Sequence, residues 1–207
     1  MEITKITTIA IISLLAAMSP GPDFAIVTKN CLSMRTFRAG FLTALGVASA
    51  VLVHVTYCLF GLAIVIQESP TLFHILKYIG AAYLFYLGIM LLKEKISPEG
   101  FPKTSNATIK KKHNPFISGF LCNLLNPKCT LFVLSLFTQF IDPNMNLLGK
   151  AMLGSIFAFI VFVWFVLLSY LITHRLLQKH FARFQLIITK AMGVILCLLA
   201  LYVAFFS

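Results

Sequence analysis

Two charges sit deep in apolar sequence, and each follows a proline motif. Asp23 ends Ser19-Pro20-Gly21-Pro22-Asp23, and Lys128 ends Asn126-Pro127-Lys128. A carboxylate can hold an ammonium group or a proton. An ammonium, or the N-terminus of a short helix that starts at a break, can hold a carboxylate. A pair of such poles suits a small zwitterion of the amino-acid type. Charge within a membrane is costly and points to a cavity or to a paired partner. Three readings therefore stand: Asp23 and Lys128 meet a solute; they form a static ion pair; or Asp23 lies at the cytoplasmic interface, about 6 Å of helix from the end of its span. A carboxylate that alternates between a proton and a solute ammonium would couple solute movement to proton movement.

The prolines say how these charges are positioned. Proline removes a backbone donor and clashes with the preceding turn, so Pro20, Gly21 and Pro22 interrupt one apolar segment and Pro127 interrupts another. In hydrocarbon the freed carbonyls and amides need partners, so broken backbone survives only against protein or water. Matched breaks point to a transporter site; the alternative is a pair of structural kinks. Asn123, Asn126 and Gln139 are polar within the second broken segment, where they would bond solute or satisfy the break. His54 lies mid-segment and is either a proton relay or a histidine bonded to a neighbouring carbonyl. The candidate set is Pro20, Gly21, Pro22, Asp23, His54, Asn126, Pro127, Lys128 and Gln139.

The elements that carry them belong to a membrane. Of 207 residues, 59% are hydrophobic and 11% charged, with a mean hydropathy of +0.94. A soluble domain carries about 25% charged residues and could not hide so much apolar surface. Six apolar segments read as spans, at 6–27, 40–66, 72–92, 115–140, 147–172 and 186–206. The expected fold is all-α, with six transmembrane helices. No room is left for a soluble cofactor domain, and neither cofactor nor metal is expected. Five cysteines without a Cys-x-x-Cys motif give no disulfide framework.

Charge sets the orientation. The net charge is +11. Thirteen basic residues, including Lys29, Arg35, Arg38, Lys110, Lys111, Lys112 and Arg175, fall on one side of the spans; Lys5, Lys77 and Lys150 fall on the other. This is a positive-inside bias rather than a nucleic-acid surface. Both termini are expected outside. The first apolar stretch is not expected to be a cleaved leader, because Glu2 offsets Lys5 and the run resumes after Asp23.

The segment 93–114, with Pro98, Gly100, Pro102 and the Lys110–Lys112 run, reads as a cytoplasmic linker between halves 1–92 and 115–207. Pro20 and Pro127 are 107 apart, Leu45-Gly46 and Leu153-Gly154 108 apart, and Lys77-x-x-Gly80 and Lys190-x-x-Gly193 113 apart. Three spans per half force the second copy to insert upside down, so two inverted three-helix repeats are expected. Gly40, Gly46, Gly61, Gly80 and Gly88 read as close helix contacts.

The Pro-Gly-Pro-Asp and Asn-Pro-Lys elements, with Gly40 to Gly61 around His54, the run from Lys77 to Gly88 and Gly119 through Phe140, resemble the LysE/RhtB family of bacterial amino-acid exporters over nearly the whole length. The resemblance implies export of amino acids or derivatives such as homoserine, its lactone, threonine, lysine or leucine. It also implies a bacterial inner-membrane location, periplasmic termini given the charge bias, and exchange for protons. The partners implied are an amino acid, protons and the lipid bilayer, and a homo-oligomer is left open. Two departures from the family stand out. Thr36 replaces a glycine usual in the first cytoplasmic loop, and Thr138 replaces a proline before Gln139.

Other classes fit less well. A divalent-metal exporter, the main alternative, would carry His-rich or acidic runs. A thiol–disulfide carrier would need paired cysteines, and Cys31 and Cys129 do not correspond between halves. A membrane enzyme would need clustered acids or histidines, and only Asp23 and His54 lie deep.

Overall fold

A proline at the first position of a helix wastes no hydrogen bond, because that N–H has no intrahelical partner. Pro22, Pro70, Pro115 and Pro127 each open a helix in this way. The computed structural model describes residues 3–19, 21–93, 114–140, 145–173 and 175–206, with side chains for all of these except 3–5, 62–68, 70, 175–186, 188 and 206. The described residues form eight helices and no strand: α1 (Ile3–Met18), α2 (Pro22–Met34), α3 (Phe37–Glu68), α4 (Pro70–Lys93), α5 (Pro115–Leu124), α6 (Pro127–Phe140), α7 (Leu147–Thr173) and α8 (Arg175–Phe206).

Both expected breaks are present. The axes of α1 and α2 differ by 58° and those of α5 and α6 by 60°. Asn114 caps α5, its side chain accepting from the amides of Phe116 (3.0 Å) and Ile117 (3.5 Å). Asn126 does the same for α6, its Oδ1 accepting from the Lys128 amide at 3.0 Å. At the far end of α2 the chain turns through Arg35 at φ 51°, a left-handed position that glycine usually fills. Thr36, the departure noted in that loop, is its immediate neighbour.

Among the described residues, three helices are long and apolar enough to cross a membrane, at Phe37–Gly61, Thr71–Lys93 and Leu147–Thr173, and each bent pair adds one more if counted as a single span. The sixth expected span falls in α8, which starts eleven residues earlier than its apolar run suggested.

Small residues let backbones approach. A Cβ on Gly119 would collide with the Thr43 carbonyl, and one on Gly46 with the Phe116 carbonyl, so α5 lies directly on α3. Gly88 and Gly193 face each other across α4 and α8, where a Cβ on either would sit 2.8 Å from the other's carbonyl oxygen. Gly61 departs from expectation: among the described residues, nothing lies within 4 Å of where its Cβ would be. A buried polar node ties α2, α3 and α5 together. Asn30 Nδ2 donates to Thr43 Oγ1 (2.9 Å) and Ser118 Oγ (2.7 Å), and both hydroxyls pass a hydrogen bond to backbone carbonyls of their own helices. Lys190 Nζ donates to the Leu92 carbonyl, joining α8 to α4. Leu84, Leu136, Phe137, Leu153 and Leu168 are fully buried between the helices.

Candidate functional site

The two breaks meet. Asp23 stands in the first turn of α2, where the exposed amides favour a carboxylate. Its Oδ2 accepts from two amides of the other break: Asn123 Nδ2 at 3.0 Å, from the end of α5, and Asn126 Nδ2 at 3.2 Å, from the cap of α6. Its Oδ1 is buried and accepts no hydrogen bond from the described residues. An orphaned buried acceptor costs about 1–3 kcal/mol, more when charged, so this oxygen suits an incoming donor.

Lys128 reaches in the opposite direction. Its Nζ donates to Ser19 Oγ at 3.2 Å, across to the end of α1. Ser19 Oγ in turn donates to the Ala16 carbonyl at 2.9 Å. A Cβ on Gly21 would lie 3.6 Å from that Nζ. Lys128 also stands at the N-terminus of α6, so its ammonium and the first amides of α6 add to one positive pole. Each break thus supplies one pole and holds the other's charged side chain.

Beside the breaks lies a narrow cavity of about 70 Å³, smaller than the roughly 300–1,000 Å³ of typical small-molecule sites. Ser19, Asp23, Asn123, Asn126 and Lys128 line its polar end. The remaining wall is apolar, with Phe132 from α6, Phe157, Val161 and Phe165 from α7, and Met192 and Leu196 from α8.

Most of the sequence candidates converge here. Gly21, Pro22 and Asp23 begin α2, and Asn126, Pro127 and Lys128 begin α6; Gly21, Pro22, Asp23, Asn126 and Lys128 line the cavity. Pro20 lies outside the described residues. His54 stands one layer behind the wall. Its Nε2 meets the Asn123 carbonyl at 3.0 Å, and its Nδ1 faces the Tyr57 hydroxyl and Thr130 Oγ1. It bonds a neighbouring carbonyl, the more ordinary of the two readings, and that carbonyl belongs to the end of α5. Gln139 is elsewhere. Its Nε2 donates to the Lys77 carbonyl of α4 at 2.9 Å, eleven residues and so about 16 Å along α6 from Lys128. Thr138, one residue earlier, keeps α6 helical through Phe140 and packs against Gly80.

Sequence reasoning gave Asn123 the same two readings as Asn126 and Gln139, to bond solute or to satisfy the break, and did not pair it with Asp23. It is the hinge of the site: its Nδ2 binds Asp23, its Oδ1 accepts from Cys129 Sγ at 3.6 Å, and its carbonyl accepts from the Asn126 amide at 2.9 Å. Ser19 was read as part of a motif and not as the partner of Lys128. The apolar wall had no signal of its own, because in a chain this hydrophobic a pocket-lining phenylalanine looks like any other.

Comparison with known proteins places this architecture. No solved structure matches the chain. The uncharacterized membrane protein YrhP of Bacillus subtilis (strain 168) is 32% identical over 192 residues, covering 89% of this chain and 91% of its own length. The threonine efflux protein of Escherichia coli (strain K12) is 28% identical over 180 residues, covering 85% of each chain. The leucine efflux protein of Salmonella choleraesuis (strain SC-B67) is 37% identical over 125 residues, covering 59% of this chain and 57% of its own. The family described as LysE type translocator matches residues 14–206. A multi-pass helical membrane chain with these relatives, matched over nearly its whole length, belongs to the LysE type translocator family.

Proposed function

We propose that this protein is a secondary transporter that exports amino acids across the bacterial inner membrane in exchange for protons. The observation that carries the reading is the shared cavity, with the Asp23 carboxylate and the Lys128 ammonium at its polar end. Asp23 Oδ1 takes the substrate ammonium, while Lys128, at the positive end of the α6 dipole, takes the substrate carboxylate. The threonine and leucine efflux relatives support an amino-acid substrate. Proton exchange follows from chemistry: a carboxylate that releases ammonium on one side and binds a proton on the other cannot carry both. In this reading, residues 1–92 and 115–207 are inverted three-helix repeats joined by a cytoplasmic linker at 93–114, and both termini are periplasmic. The six crossings then comprise α3, α4, α7, α8 and the two bent pairs, and the pseudo-two-fold axis passes near the breaks.

The test is counterflow in proteoliposomes, with a panel of labelled amino acids and an imposed pH gradient. Amino-acid exchange driven by the gradient is expected in the wild type. Asp23→Asn should abolish the pH-driven component while the protein still inserts. Undiminished pH-driven transport by Asp23→Asn refutes the coupling role. Movement of divalent metal ions with no amino acid refutes the substrate assignment.

A further inference from the structure

Asp23 can offer Oδ1 in a fixed place only because Oδ2 is pinned. A carboxylate on a free side chain turns about its own bonds, and here the amides of Asn123 and Asn126 stop it. Those asparagines must themselves be held. Both stand at a helix break, where backbone groups lack helical partners and membrane surroundings supply none. What holds them comes from a third helix.

His54 is buried in the middle of α3. Its Nε2 lies 3.0 Å from the Asn123 carbonyl. A carbonyl only accepts, so Nε2 carries a proton and donates it. The same carbonyl accepts from the Asn126 amide at 2.9 Å. Its two lone pairs are then filled, one by the ring from α3 and one by the residue that opens α6. This carbonyl is the joint between the two asparagines that grip Asp23. The second ring nitrogen, Nδ1, faces the hydroxyls of Tyr57 and Thr130. A hydroxyl can donate to it, so the neutral ring is satisfied on both sides without a second proton.

We infer that His54 is a positioning residue of this site. It touches no solute and relays no proton. As a neutral donor it fixes the Asn123 carbonyl, so that the Asn123 amide meets Asp23 Oδ2 and Oδ1 stays in place for the substrate ammonium. This rests on the amino-acid export reading above and deepens it.

The experiment is counterflow in proteoliposomes of the full chain with labelled threonine, leucine, homoserine and lysine, followed as a concentration series for the one exchanged fastest. His54→Leu fills the space and removes the donor. It should raise half-saturation about fivefold, the worth of one net hydrogen bond, and keep the maximal rate, because the loss falls on binding. His54→Gln carries an amide donor and no titrating group, and should keep the half-saturation of the wild type. Asn123→Ala removes the amide that His54 positions, so adding His54→Leu to it should raise half-saturation by no more than about twofold, whereas independent effects would multiply. Multiplied effects in the double variant, wild-type half-saturation in His54→Leu, or His54→Gln as weak as His54→Leu each overturn the positioning role and leave amino-acid export standing. His54→Gln against wild type decides alone if His54→Leu or Asn123→Ala is not monodisperse after purification. Monodisperse wild-type protein that exchanges none of the four amino acids overturns the export reading itself, and this inference with it.

Discussion

Asn126 is where the geometry of the break and the negative pole of the site depend on one side chain. Its Oδ1 caps α6 through the Lys128 amide at 3.0 Å, and its Nδ2 reaches Asp23 at 3.2 Å. Two replacements separate these duties. Asn126→Ser keeps a capping acceptor and loses the reach to Asp23; Asn126→Ala loses both. A cap is worth about 1 kcal/mol. A hydrogen bond to a charged group is worth about 1.5–3 kcal/mol in soluble proteins, but interhelical bonds measured within membranes average about 0.6 and reach about 1.7. The lower figures apply here, because Asn123 still donates to the same oxygen at 3.0 Å and the carboxylate is not abandoned. The expected losses are about 1 kcal/mol for Asn126→Ser and about 2 kcal/mol for Asn126→Ala.

Thermal unfolding in detergent reads these losses directly. The protein has a single tryptophan, Trp164, buried on α7 beside the cavity-lining Phe165, so its fluorescence reports on the wall of the site. The expected order of stability is wild type, then Asn126→Ser, then Asn126→Ala. In counterflow both variants should weaken substrate binding to a similar degree, because both leave Asp23 with one donor in place of two. Asn126→Ala as stable as wild type, or Asn126→Ser no better than Asn126→Ala, would show that Asn126 does not cap α6 as argued. Unaltered half-saturation in both would show that the amide does not hold Asp23 for substrate.

Two further outcomes follow from the packing. His54→Ala should lower stability, since it removes one of the hydrogen bonds to the Asn123 carbonyl, which keeps the Asn126 amide at 2.9 Å, and empties a buried site; it should leave the pH profile of transport in place, and a flattened profile would restore the relay reading of His54. Gly46→Leu should cost about 3 kcal/mol or more, because backbone of α5 lies where its side chain must go, whereas Gly61→Ala, in open space on the same helix, should gain about 0.5–1 kcal/mol; equal melting of the two variants would refute the tight α3–α5 contact.

Features that depend on a few neighbouring residues were legible in the sequence. Proline blocks its own hydrogen bond wherever it stands, so both helix breaks could be placed within the Ser19–Asp23 and Asn126–Lys128 motifs. Apolar runs located three unbroken spans for the same reason. Helix ends were harder to place. The start of α8 is helical from Arg175 although its first turns are basic, since helix geometry and membrane insertion are different requirements. Gly61 shows the same limit from the other side. A glycine permits close approach, but only the neighbouring helix decides whether approach occurs, and none of the described residues approaches Gly61.

The site was half legible, and the division is physical. Asp23 and Lys128 announced themselves because a charge in an apolar stretch must be explained. Asn123 was read only as bonding solute or satisfying the break, because an amide is cheap enough to sit in a helix for many reasons, and its bond to Asp23 needs a residue 100 positions away. Gln139 announced itself just as loudly as Asn126 by type and segment, yet it serves the α4 carbonyl at the other end of α6. What separates the two is distance from the break: Asn126 stands at the only point of α6 where backbone amides lack helical partners, and there a short amide side chain can satisfy its own helix and still reach another. A polar residue in a membrane helix therefore carries most information when it stands beside a break, because only there do backbone, charge and solute compete for the same few hydrogen bonds.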